Sequence, residues 1–339
     1  MKKNGITIGI LGATGVVGTE MRNVLEQRQV PCETLRLYAD RNDAGTEVIF
    51  RGEKLTVEEA ADDSFTGVDI LLVAVSNEVS RHFSPIAVRA GAIVIDNSSA
   101  YRMDPEVPLV VPEVNAGDIA WHKGIIANPN CSTIIALVAV SALHRAHPIK
   151  RMIVSTYQAV SGAGINGLRE LEDQVRDYAQ GGALHSKVFQ HQIAFNLIPQ
   201  IEAFEDNGYT KEEMKMHREG RRILHAPDLQ ITCTCVRVPV FRSHSESIYV
   251  EFAHPVSVGE ARELIKNASG TKLADDPRAG QYPMPLDTSN QDLVFVGRIR
   301  RDMANQNALN LWCCGDQIRK GAATNAVQIA ELVIEKHLQ

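Results

Sequence analysis

The chain has 339 residues, 44% of them hydrophobic and 22% charged, so it can bury a substantial core, and its length favours two domains. Its 35 basic and 41 acidic residues give a formal net charge of −6, which has the wrong sign for general nucleic-acid binding. Residues 1–5 lack the apolar run of a secretory signal, and the apolar stretch 134–143 is too short to cross a bilayer. Six cysteines without an export signal indicate free thiols in a reducing compartment. We therefore expect a soluble cytoplasmic protein that binds neither nucleic acid nor a membrane.

The first third of the chain alternates short apolar runs with helical stretches. Runs of almost continuous Ile, Leu and Val are typical of parallel strands that are covered on both faces. Such runs occupy 6–11, 35–37, 70–75, 93–95 and 124–127, and helices are predicted at 16–27 and 79–90. This order predicts a doubly wound, Rossmann-like α/β domain.

Beyond about residue 130 the pattern changes. The Gly- and Ser-rich stretch 156–167 predicts a loop, and the alternating apolar residues of 231–240 and 247–253 predict long strands of a mixed sheet. Helices are predicted at 134–143, 168–180 and 320–337. We predict two domains, 1–130 and an α+β domain at 131–315, with a C-terminal helix at 316–339 packing back on the first.

A glycine-rich turn follows the first predicted strand and opens the first helix. Gly12, Gly15 and Gly18 form a GxxGxxG pattern, a variant of the dinucleotide-binding fingerprint. Glycines there permit close backbone approach, and the helix N-terminus offers N–H groups to a pyrophosphate. The sequence favours a dinucleotide site, and a purely structural turn between strand and helix remains the alternative.

The residues after the second strand bear on the choice of cofactor. An acid there favours NAD through the ribose hydroxyls, whereas an arginine favours NADP through the 2′-phosphate. This chain carries both, as Asp40 and Arg41, so we favour NADP and keep NAD open.

Cys131 immediately precedes the most apolar predicted helix. At a helix N-terminus the dipole favours the thiolate, and nearby N–H groups could bind an oxyanion. A buried cysteine beside an Asn130 cap is an equally good interpretation of this segment alone. Among eleven histidines His244 ranks first as a partner, since it lies at a turn between two strong strands. The other cysteines fit core strands, and their spacing predicts no metal site.

Eight motifs occur along almost the whole chain: GATGVVG at 12–18, NSSAYR at 97–102, NPNCST at 128–133, TYQAVSGAG at 156–164, EEMK at 212–215, RVPV followed by HSE at 237–246, VGRIRRD at 296–302 and RKGAATNAVQIAEL at 319–332. In this order they resemble the aspartate-semialdehyde dehydrogenases. The resemblance implies an NADPH-dependent enzyme that converts L-aspartyl-4-phosphate to L-aspartate 4-semialdehyde and releases inorganic phosphate. This step belongs to the biosynthesis of diaminopimelate, lysine, methionine and threonine. Residues 1–130 would then bind the dinucleotide, and 131–315 would serve catalysis and dimerisation.

The resemblance also implies roles for individual residues. Cys131 would be the nucleophile that forms an acyl thioester, His244 the acid/base group, and Gln158 a substrate contact beside the thiol. Substrate binding would involve Arg102 and Lys215 at the phosphate, Arg237 at the α-carboxylate, and Asn130, Gln158 and Glu212. Cofactor binding would involve Gly12, Thr14, Gly15, Val16, Val17, Arg41, Asn42, Ser161, Gly162 and Gln317.

Lys215 also has a plain structural interpretation. Thr210 and Glu213 form a predicted capping box that starts a helix there, and Glu212 with Lys215 is then an (i, i+3) pair. Without the resemblance this pair reads as a surface ion pair.

Some features leave alternatives open. The family commonly places serines beside the arginine that receives the 2′-phosphate, where this chain has Ala39 and Asn42, with a one-residue insertion near Asp43. These residues leave NAD open as the alternative to NADP. An N-acetyl-glutamyl-phosphate reductase would be expected to carry Gly where Asn130 stands, and a catalytically silent nucleotide-binding relative would have lost Cys131 or His244. A homodimer or homotetramer is expected from the family alone.

Overall fold

The computed structural model describes residues 5–338, with side chains described as far as residue 336. The chain divides into two compact units, Met1–Pro129 with Ala322–Gln339, and Asn130–Gly321. Residues 316–321, which the sequence analysis places with the terminal helix, therefore group with the second unit. Residues 1–4 and 339 of the predicted domains lie outside the described part of the chain.

The first unit is built on a six-stranded, all-parallel sheet. Its strands are β1 (Thr7–Leu11), β2 (Thr34–Ala39), β5 (Glu58–Glu59), β6 (Ile70–Val73), β7 (Ile93–Asp96) and β8 (Ile125–Ala127), in the order β5-β2-β1-β6-β7-β8. Strands β3 (Glu47–Phe50) and β4 (Glu53–Thr56) form a separate hairpin. The helices are α1 (Val16–Gln27), α2 (Asn77–Arg89), α3 (Pro112–Asn115) and α9 (Thr324–Leu338), with a 3-10 turn at Ala116–Trp121.

Both faces of this sheet are buried, as the continuous apolar strands predict. Ile8 and Ile10 of β1 pack in one cluster with α1 and α9, whereas Leu11 packs in a second cluster with α2. The predicted Rossmann-like class is confirmed. Helix α9 is tied to this unit by polar contacts, since the Asn325 amide donates to Asn128 Oδ1 at 2.6 Å.

The second unit contains a six-stranded mixed sheet. Its strands are β9 (Ile149–Gln158), β10 (Gln230–Arg237), β11 (His244–Phe252), β12 (Thr271–Leu273), β13 (Val294–Arg301) and β14 (Ala308–Gly315), in the order β10-β9-β11-β14-β13-β12. The outer pairs β10–β9 and β12–β13 are parallel, and the inner pairs are antiparallel. Its helices are α4 (Cys131–Ala146), α5 (Gly164–Ala179), α6 (Lys211–Ile223), α7 (Val258–Lys266) and α8 (Pro285–Thr288). The predicted α+β class with a mixed sheet is confirmed.

The prediction of a loop over 156–167 is wrong. Strand β9 continues to Gln158, a 3-10 turn spans Val160–Ala163, and α5 already begins at Gly164. Ser161 and Gly162 lie in the 3-10 turn, whereas Gly164 and Gly167 already belong to α5, so composition marks the break but places its start too early and its end too late. The predicted strand 231–240 similarly ends at Arg237.

No helix among residues 5–338 combines the length and the apolar character that crossing a membrane requires.

Candidate active site

The candidate nucleophile is the first residue of the buried helix α4. Asn130 caps this helix, because its Oδ1 accepts hydrogen bonds from the backbone N–H groups of Ser132 at 3.1 Å and Thr133 at 3.2 Å. The Cys131 side chain keeps partial access, whereas four of the other cysteines are buried. Gly321, in the π-helical turn Arg319–Ala323, packs against Cys131. A Cβ added to Gly321 would lie 2.9 Å from the Cβ of Cys131. The thiol therefore lies at the N-terminus of α4, the positive end of the helix dipole, and Gly321 leaves room for the cysteine.

His244 lies beside this thiol at the start of β11. Its Nε2 is 3.5 Å from Cys131 Sγ, and its Nδ1 accepts a hydrogen bond from the backbone N–H of Ala159 at 3.0 Å. Because a backbone N–H can only donate, Nδ1 must be unprotonated, and the neutral ring carries its proton on Nε2, facing the sulfur. Burial, aided by the positive charge of Arg237, lowers the pKa of His244 to about 3. The imidazole is therefore neutral at physiological pH.

A buried network holds Gln158 next to this pair. The Thr156 hydroxyl donates to Gln158 Oε1 at 3.0 Å, and Gln158 Nε2 donates to Glu212 Oε1 at 3.1 Å. These two hydrogen bonds orient the Gln158 amide, with its oxygen toward Thr156 and its nitrogen toward Glu212. The contact of 3.3 Å between Gln158 Nε2 and His244 Nε2 then joins two donors and is not a hydrogen bond.

Glu212 is the centre of the network. Besides Gln158 it accepts from Asn130 Nδ2 at 3.0 Å and from Lys215 Nζ at 3.1 Å. Burial alone would raise the pKa of Glu212, but the charge of Lys215 and the hydrogen bonds from Asn130 and Gln158 outweigh it and hold the pKa at about 2. The predicted (i, i+3) pair is confirmed, although it is not a surface pair, because the Glu212 side chain is only 5% exposed.

The start of α6 explains why these two charges converge there. The predicted capping box is present, with Thr210 accepting from the backbone N–H of Glu213 and the Glu213 side chain accepting from the backbone N–H of Thr210. Lys215 also pairs with Glu202, whose Oε1 lies 2.6 Å from Nζ. Burial would lower the pKa of Lys215, but Glu212 and Glu202 together raise it above its ordinary value.

Arg237 ends β10 on the sheet face that also carries Cys233 and Cys235, as the alternation predicts. Its Nη1 donates to the backbone carbonyl of Ala159 at 2.7 Å, and its guanidinium carbon lies 5.9 Å from the centre of the Phe189 ring. The residue is buried, and its strand register places it opposite Gln158. A buried guanidinium bonded to a carbonyl retains further N–H donors for an anionic ligand.

Three predicted cofactor residues of the second unit lie close together. Gln317 Nε2 donates to the Ser161 hydroxyl, and Gln317 Oε1 accepts from the backbone N–H of Ser243 at 2.8 Å. Gly162 lies against Arg237, where an added Cβ would be 2.7 Å from Nη1. A side chain at position 162 would therefore displace the guanidinium.

The glycine-rich turn of the first unit has the geometry that its sequence predicts. Gly12 has a φ of +85°, and a Cβ on it would lie 2.4 Å from the carbonyl oxygen of Ala74. A Cβ on Gly18 would lie 2.1 Å from the carbonyl oxygen of Gly12, so only glycine fits there. Thr14, Gly15, Val16 and Val17 form the turn and the first residues of α1. The turn borders a cleft of about 440 Å³ that a nucleotide could enter.

The turn after β2 lines the same cleft. Asp40 Oδ1 accepts from the backbone N–H groups of Asn42 at 2.8 Å and Asp43 at 3.3 Å, so this carboxylate stabilises the turn. Asp43 accepts a hydrogen bond from the Thr14 hydroxyl. Arg41 lines the cleft and is exposed, as is Asn42 beside it. The guanidinium is thus available, with two carboxylates close to it in the chain.

Arg102 belongs to the first unit and is buried. Its Nη2 donates to the backbone carbonyl of Asn97 at 2.9 Å. The adjacent Asp96 accepts from the backbone N–H and the hydroxyl of Ser98, and burial raises its pKa above the ordinary range.

The second unit thus brings together seven predicted catalytic and substrate residues, Cys131, His244, Gln158, Asn130, Glu212, Lys215 and Arg237, and it also contains the predicted cofactor residues Ser161, Gly162 and Gln317. The other predicted residues belong to the first unit: Gly12, Thr14, Gly15, Val16, Val17, Arg41, Asn42 and Arg102. Sequence reasoning missed Glu219, whose Oε2 accepts from the Asn130 backbone N–H at 2.7 Å. Helical spacing could have found it, since Glu212, Met216 and Glu219 share one buried face of α6. The roles of Ala159 and Glu202 depend on partners 85 and 13 positions away in the sequence, which left no such signal. Sequence reasoning also missed Thr156, although its partner Gln158 lies only two residues further along the same strand.

Across the described residues, His, Cys, Asp and Glu side chains form no cluster that could hold a metal ion.

Comparisons with known proteins agree with this arrangement. The family model for the NAD binding domain of semialdehyde dehydrogenases matches residues 7–122, and that for their dimerisation domain matches residues 140–320. The aspartate-semialdehyde dehydrogenase of Prochlorococcus marinus is 47% identical over 98% of this chain and 96% of its own length. That of Bacillus subtilis is 48% identical over 96% and 97%. The crystal structure of aspartate semialdehyde dehydrogenase II from Vibrio cholerae, complexed with ASA, matches with a TM-score of 0.96 at 42% identity, over 98% of this chain and 99% of that one.

Proposed function

Because the chain belongs to the aspartate-semialdehyde dehydrogenase family, we propose that it catalyses the NADPH-dependent reductive dephosphorylation of L-aspartyl-4-phosphate to L-aspartate 4-semialdehyde. The observation that carries the proposal is the pair formed by Cys131 Sγ and His244 Nε2, 3.5 Å apart at the start of a buried helix. Arg237, buried on the strand next to Gln158, supplies the cation that an amino-acid substrate requires.

Cys131 acts as the nucleophile. Its thiolate attacks the acyl carbon of the substrate, the carbon–oxygen bond to phosphate breaks, and a thioester and inorganic phosphate result. When bound, the nicotinamide supplies the hydride that reduces this thioester. The carbon–sulfur bond then breaks, which releases the semialdehyde and restores the thiolate.

His244 acts beside the sulfur as the acid/base group. With its proton on Nε2, the neutral ring donates to the sulfur and favours the thiolate over the thiol. Nδ1 is the only nitrogen that can take up a further proton, so the ring accepts one only after the Ala159 N–H releases it. Gln158, held by Thr156 and Glu212, contacts the substrate next to this pair.

The substrate is held by charges. Arg237 binds its α-carboxylate, and Arg102 and Lys215 bind its phosphate group. Asn130 and Glu212 contribute mainly by keeping Lys215 and Gln158 in place, since their own side chains bind each other and these neighbours.

Each unit carries residues that the family resemblance assigns to the cofactor. In the first unit the N–H groups at the start of α1 bind the pyrophosphate, and Arg41 and Asn42 bind the ribose 2′-phosphate of NADP. In the second unit Ser161, Gly162 and Gln317 bind the nicotinamide end. The engagement of Asp40 Oδ1 with its own turn supports NADP, because only Oδ2 of that carboxylate is left to bind ribose hydroxyls. NAD is the alternative that Asp43 keeps open.

The reaction places the protein in the biosynthesis of diaminopimelate, lysine, methionine and threonine. We propose that it works in the cytoplasm, which the unpaired thiols of Cys233 and Cys235, 3.4 Å apart, support. The match to a dimerisation domain supports a homodimer, or a tetramer made of two such pairs.

Phosphate-dependent reduction of NADP⁺ with L-aspartate 4-semialdehyde tests the proposal. We expect turnover with NADP⁺, slower turnover with NAD⁺, and none with the N-acetyl-glutamate semialdehyde. The Cys131→Ala variant should retain its fold by circular dichroism and lose turnover. Activity only on the N-acetylated aldehyde, or no activity with either aldehyde, would contradict the assignment.

A further inference from the structure

Lys215, proposed above as a phosphate ligand, lies between two carboxylates. Its Nζ is 2.6 Å from Glu202 Oε1 and 3.1 Å from Glu212 Oε2. An ammonium group has three N–H donors, so these contacts leave one donor for an anion. The ion-pair cluster of Lys215 itself holds two carboxylates against one ammonium group, and a further cation that both acids sense is Arg237. A phosphate group that approaches Lys215 therefore meets repulsion as well as attraction.

The two carboxylates differ in how firmly they are held. Glu212 is 5% exposed and also accepts hydrogen bonds from Asn130 and Gln158, so it cannot leave without breaking that network. The Glu202 side chain is 42% exposed and has Lys215 as its ion-pair partner. Water can solvate Glu202 when it leaves, whereas Glu212 would lose several partners at once. Glu202 is therefore the group that an incoming phosphate can displace.

The backbone explains why Glu202 lies over the lysine. Glu202 has a φ of +65°, an uncommon conformation for a residue other than glycine. The adjoining segment is fastened to the start of α6, where the backbone N–H of Lys211 donates to the carbonyl of Ala203 at 2.9 Å. Buried Ile201 anchors the other side. The chain thus holds this carboxylate at the helix that carries Lys215.

We propose that Glu202 sets the affinity for phosphate: it occupies Lys215 in the absence of phosphate and is displaced when the phosphate group binds with more than the one remaining N–H donor. Glu202 thereby weakens the binding of inorganic phosphate and assists its release after thioester formation. This inference rests on the proposed function, in particular on Lys215 as a phosphate ligand.

The test compares Glu202→Gln with Glu205→Gln in the full-length enzyme. Glu205 lies three residues further along the same segment and forms an ion pair with Arg218 of α6 at 2.8 Å. It is the matched control, because its substitution also removes an ion pair to α6 but leaves Lys215 untouched. Steady-state kinetics would be measured with aspartate semialdehyde, NADP⁺ and varied phosphate, and repeated with arsenate. We expect Glu202→Gln to lower the KM for phosphate about fivefold, an effect typical of a partly exposed ion pair. The KM for the semialdehyde should stay within about twofold, and Glu205→Gln should change neither constant.

A Lys215→Ala background separates failure of this inference from failure of the proposed phosphate site. If Lys215→Ala raises the KM for phosphate while Glu202→Gln leaves it unchanged or raises it, the phosphate site stands and the role of Glu202 is wrong. If Lys215→Ala does not affect phosphate at all, the proposed site itself fails. If Glu202→Gln lowers the KM for phosphate equally with and without Lys215, the effect does not act through the lysine and the inference is overturned. An altered KM for the semialdehyde alone would instead place Glu202 at the amino-acid part of the substrate.

Discussion

At the scale of single residues, the site depends on close approach between groups that leave little free space. Gly162 illustrates this, because its α-carbon lies where a side chain would meet both Arg237 and His244. An added Cβ would be 2.7 Å from Nη1 of the arginine and 3.4 Å from Cε1 of the histidine. The guanidinium is the end of a flexible side chain and can shift, so the fold should survive the substitution while the binding geometry does not.

We therefore expect Gly162→Ala to reduce kcat/KM for aspartate semialdehyde on the order of a hundredfold, the cost of a misplacement of about 1 Å in a catalytic site. The thermal unfolding midpoint should change little. Gly259→Ala is the matched control, since nothing lies within 4 Å of a Cβ at that helical position. Wild-type kinetics for Gly162→Ala would show that Arg237 needs no such close fit.

How far the sequence predicts individual residues depends on the range of the contacts that define them. Cys131 is predictable because a helix start is a local feature of the chain, and its Asn130 cap is part of the same signal. His244 ranks first only narrowly, since its pairing with Cys131 joins residues 113 positions apart. The resemblance supplied Lys215 and Arg237, and neither the sequence pattern nor the resemblance indicated Glu202.

At the scale of elements, the turn after β2 combines one cation with several acids. The Asp40 carboxylate stabilises the turn by accepting hydrogen bonds from two backbone N–H groups. The Asp43 carboxylate instead accepts a hydrogen bond from the Thr14 hydroxyl, outside the turn. Removing the charge of Asp43 therefore leaves the turn intact. Removing this charge also removes repulsion toward a 2′-phosphate at Arg41. Asp43 is therefore the residue of this turn whose charge should affect the choice between NADP and NAD.

We expect Asp43→Asn to lower the KM for NADP⁺ about threefold at low salt and to leave the KM for NAD⁺ nearly unchanged, because screened, exposed charges have small effects. The shift should shrink at high salt. Asp62→Asn, which removes an exposed acid paired with His82, is the control. Equal changes for both cofactors would mean that Asp43 does not distinguish them.

Element prediction succeeds where residue pattern and burial agree. Helix α1 is predicted with its observed bounds, because a glycine turn precedes it and its apolar residues repeat along one face. Strands β9, β13 and β14 received no prediction, since their runs include Lys, Arg, Gly and Asn, which are weak strand formers. Pairing with other strands, not local preference, makes them strands: β9 and β14 both pair with β11, and β13 pairs with the next strand, β14.

At the scale of the whole molecule, the second unit buries an acid that its proposed chemistry does not use. Glu246 of β11 is fully buried, and neither of its carboxylate oxygens has a hydrogen-bond partner among the described residues. Burial, with the nearby charge of Glu212, raises the pKa of Glu246 well above its ordinary value. The folded protein therefore holds this group neutral under conditions in which the unfolded chain ionises it.

This difference makes stability depend on pH with a definite sign. Above about pH 4.5 the unfolded state loses the Glu246 proton and the folded state keeps it, so the free energy of unfolding falls as pH rises. Buried His244 and ionised Glu212 act in the opposite sense, since their lowered pKa values make acidification destabilising.

Glu246→Gln removes only the first of these contributions. Relative to wild type, the variant should gain stability as pH rises above about 4.5, by at most about 1.4 kcal/mol for each pH unit. Urea unfolding at several pH values measures the difference, with Glu251→Gln on the same strand as control. If the free energy of unfolding varied with pH in the same way for Glu246→Gln and wild type, Glu246 would ionise alike in the folded and unfolded states, and the prediction would be wrong.

The return of α9 to the first unit has a consequence for biosynthesis of the chain itself. The first unit takes strands from before residue 130 and its last helix from beyond residue 321, whereas the second unit is one continuous stretch. On the ribosome we expect the second unit to complete its core while the parallel sheet still lacks one of the helices that cover it. Until translation delivers that helix, Ile8 and Ile10 have only part of the apolar cluster that buries them, so we expect the first unit to be the more aggregation-prone of the two during synthesis.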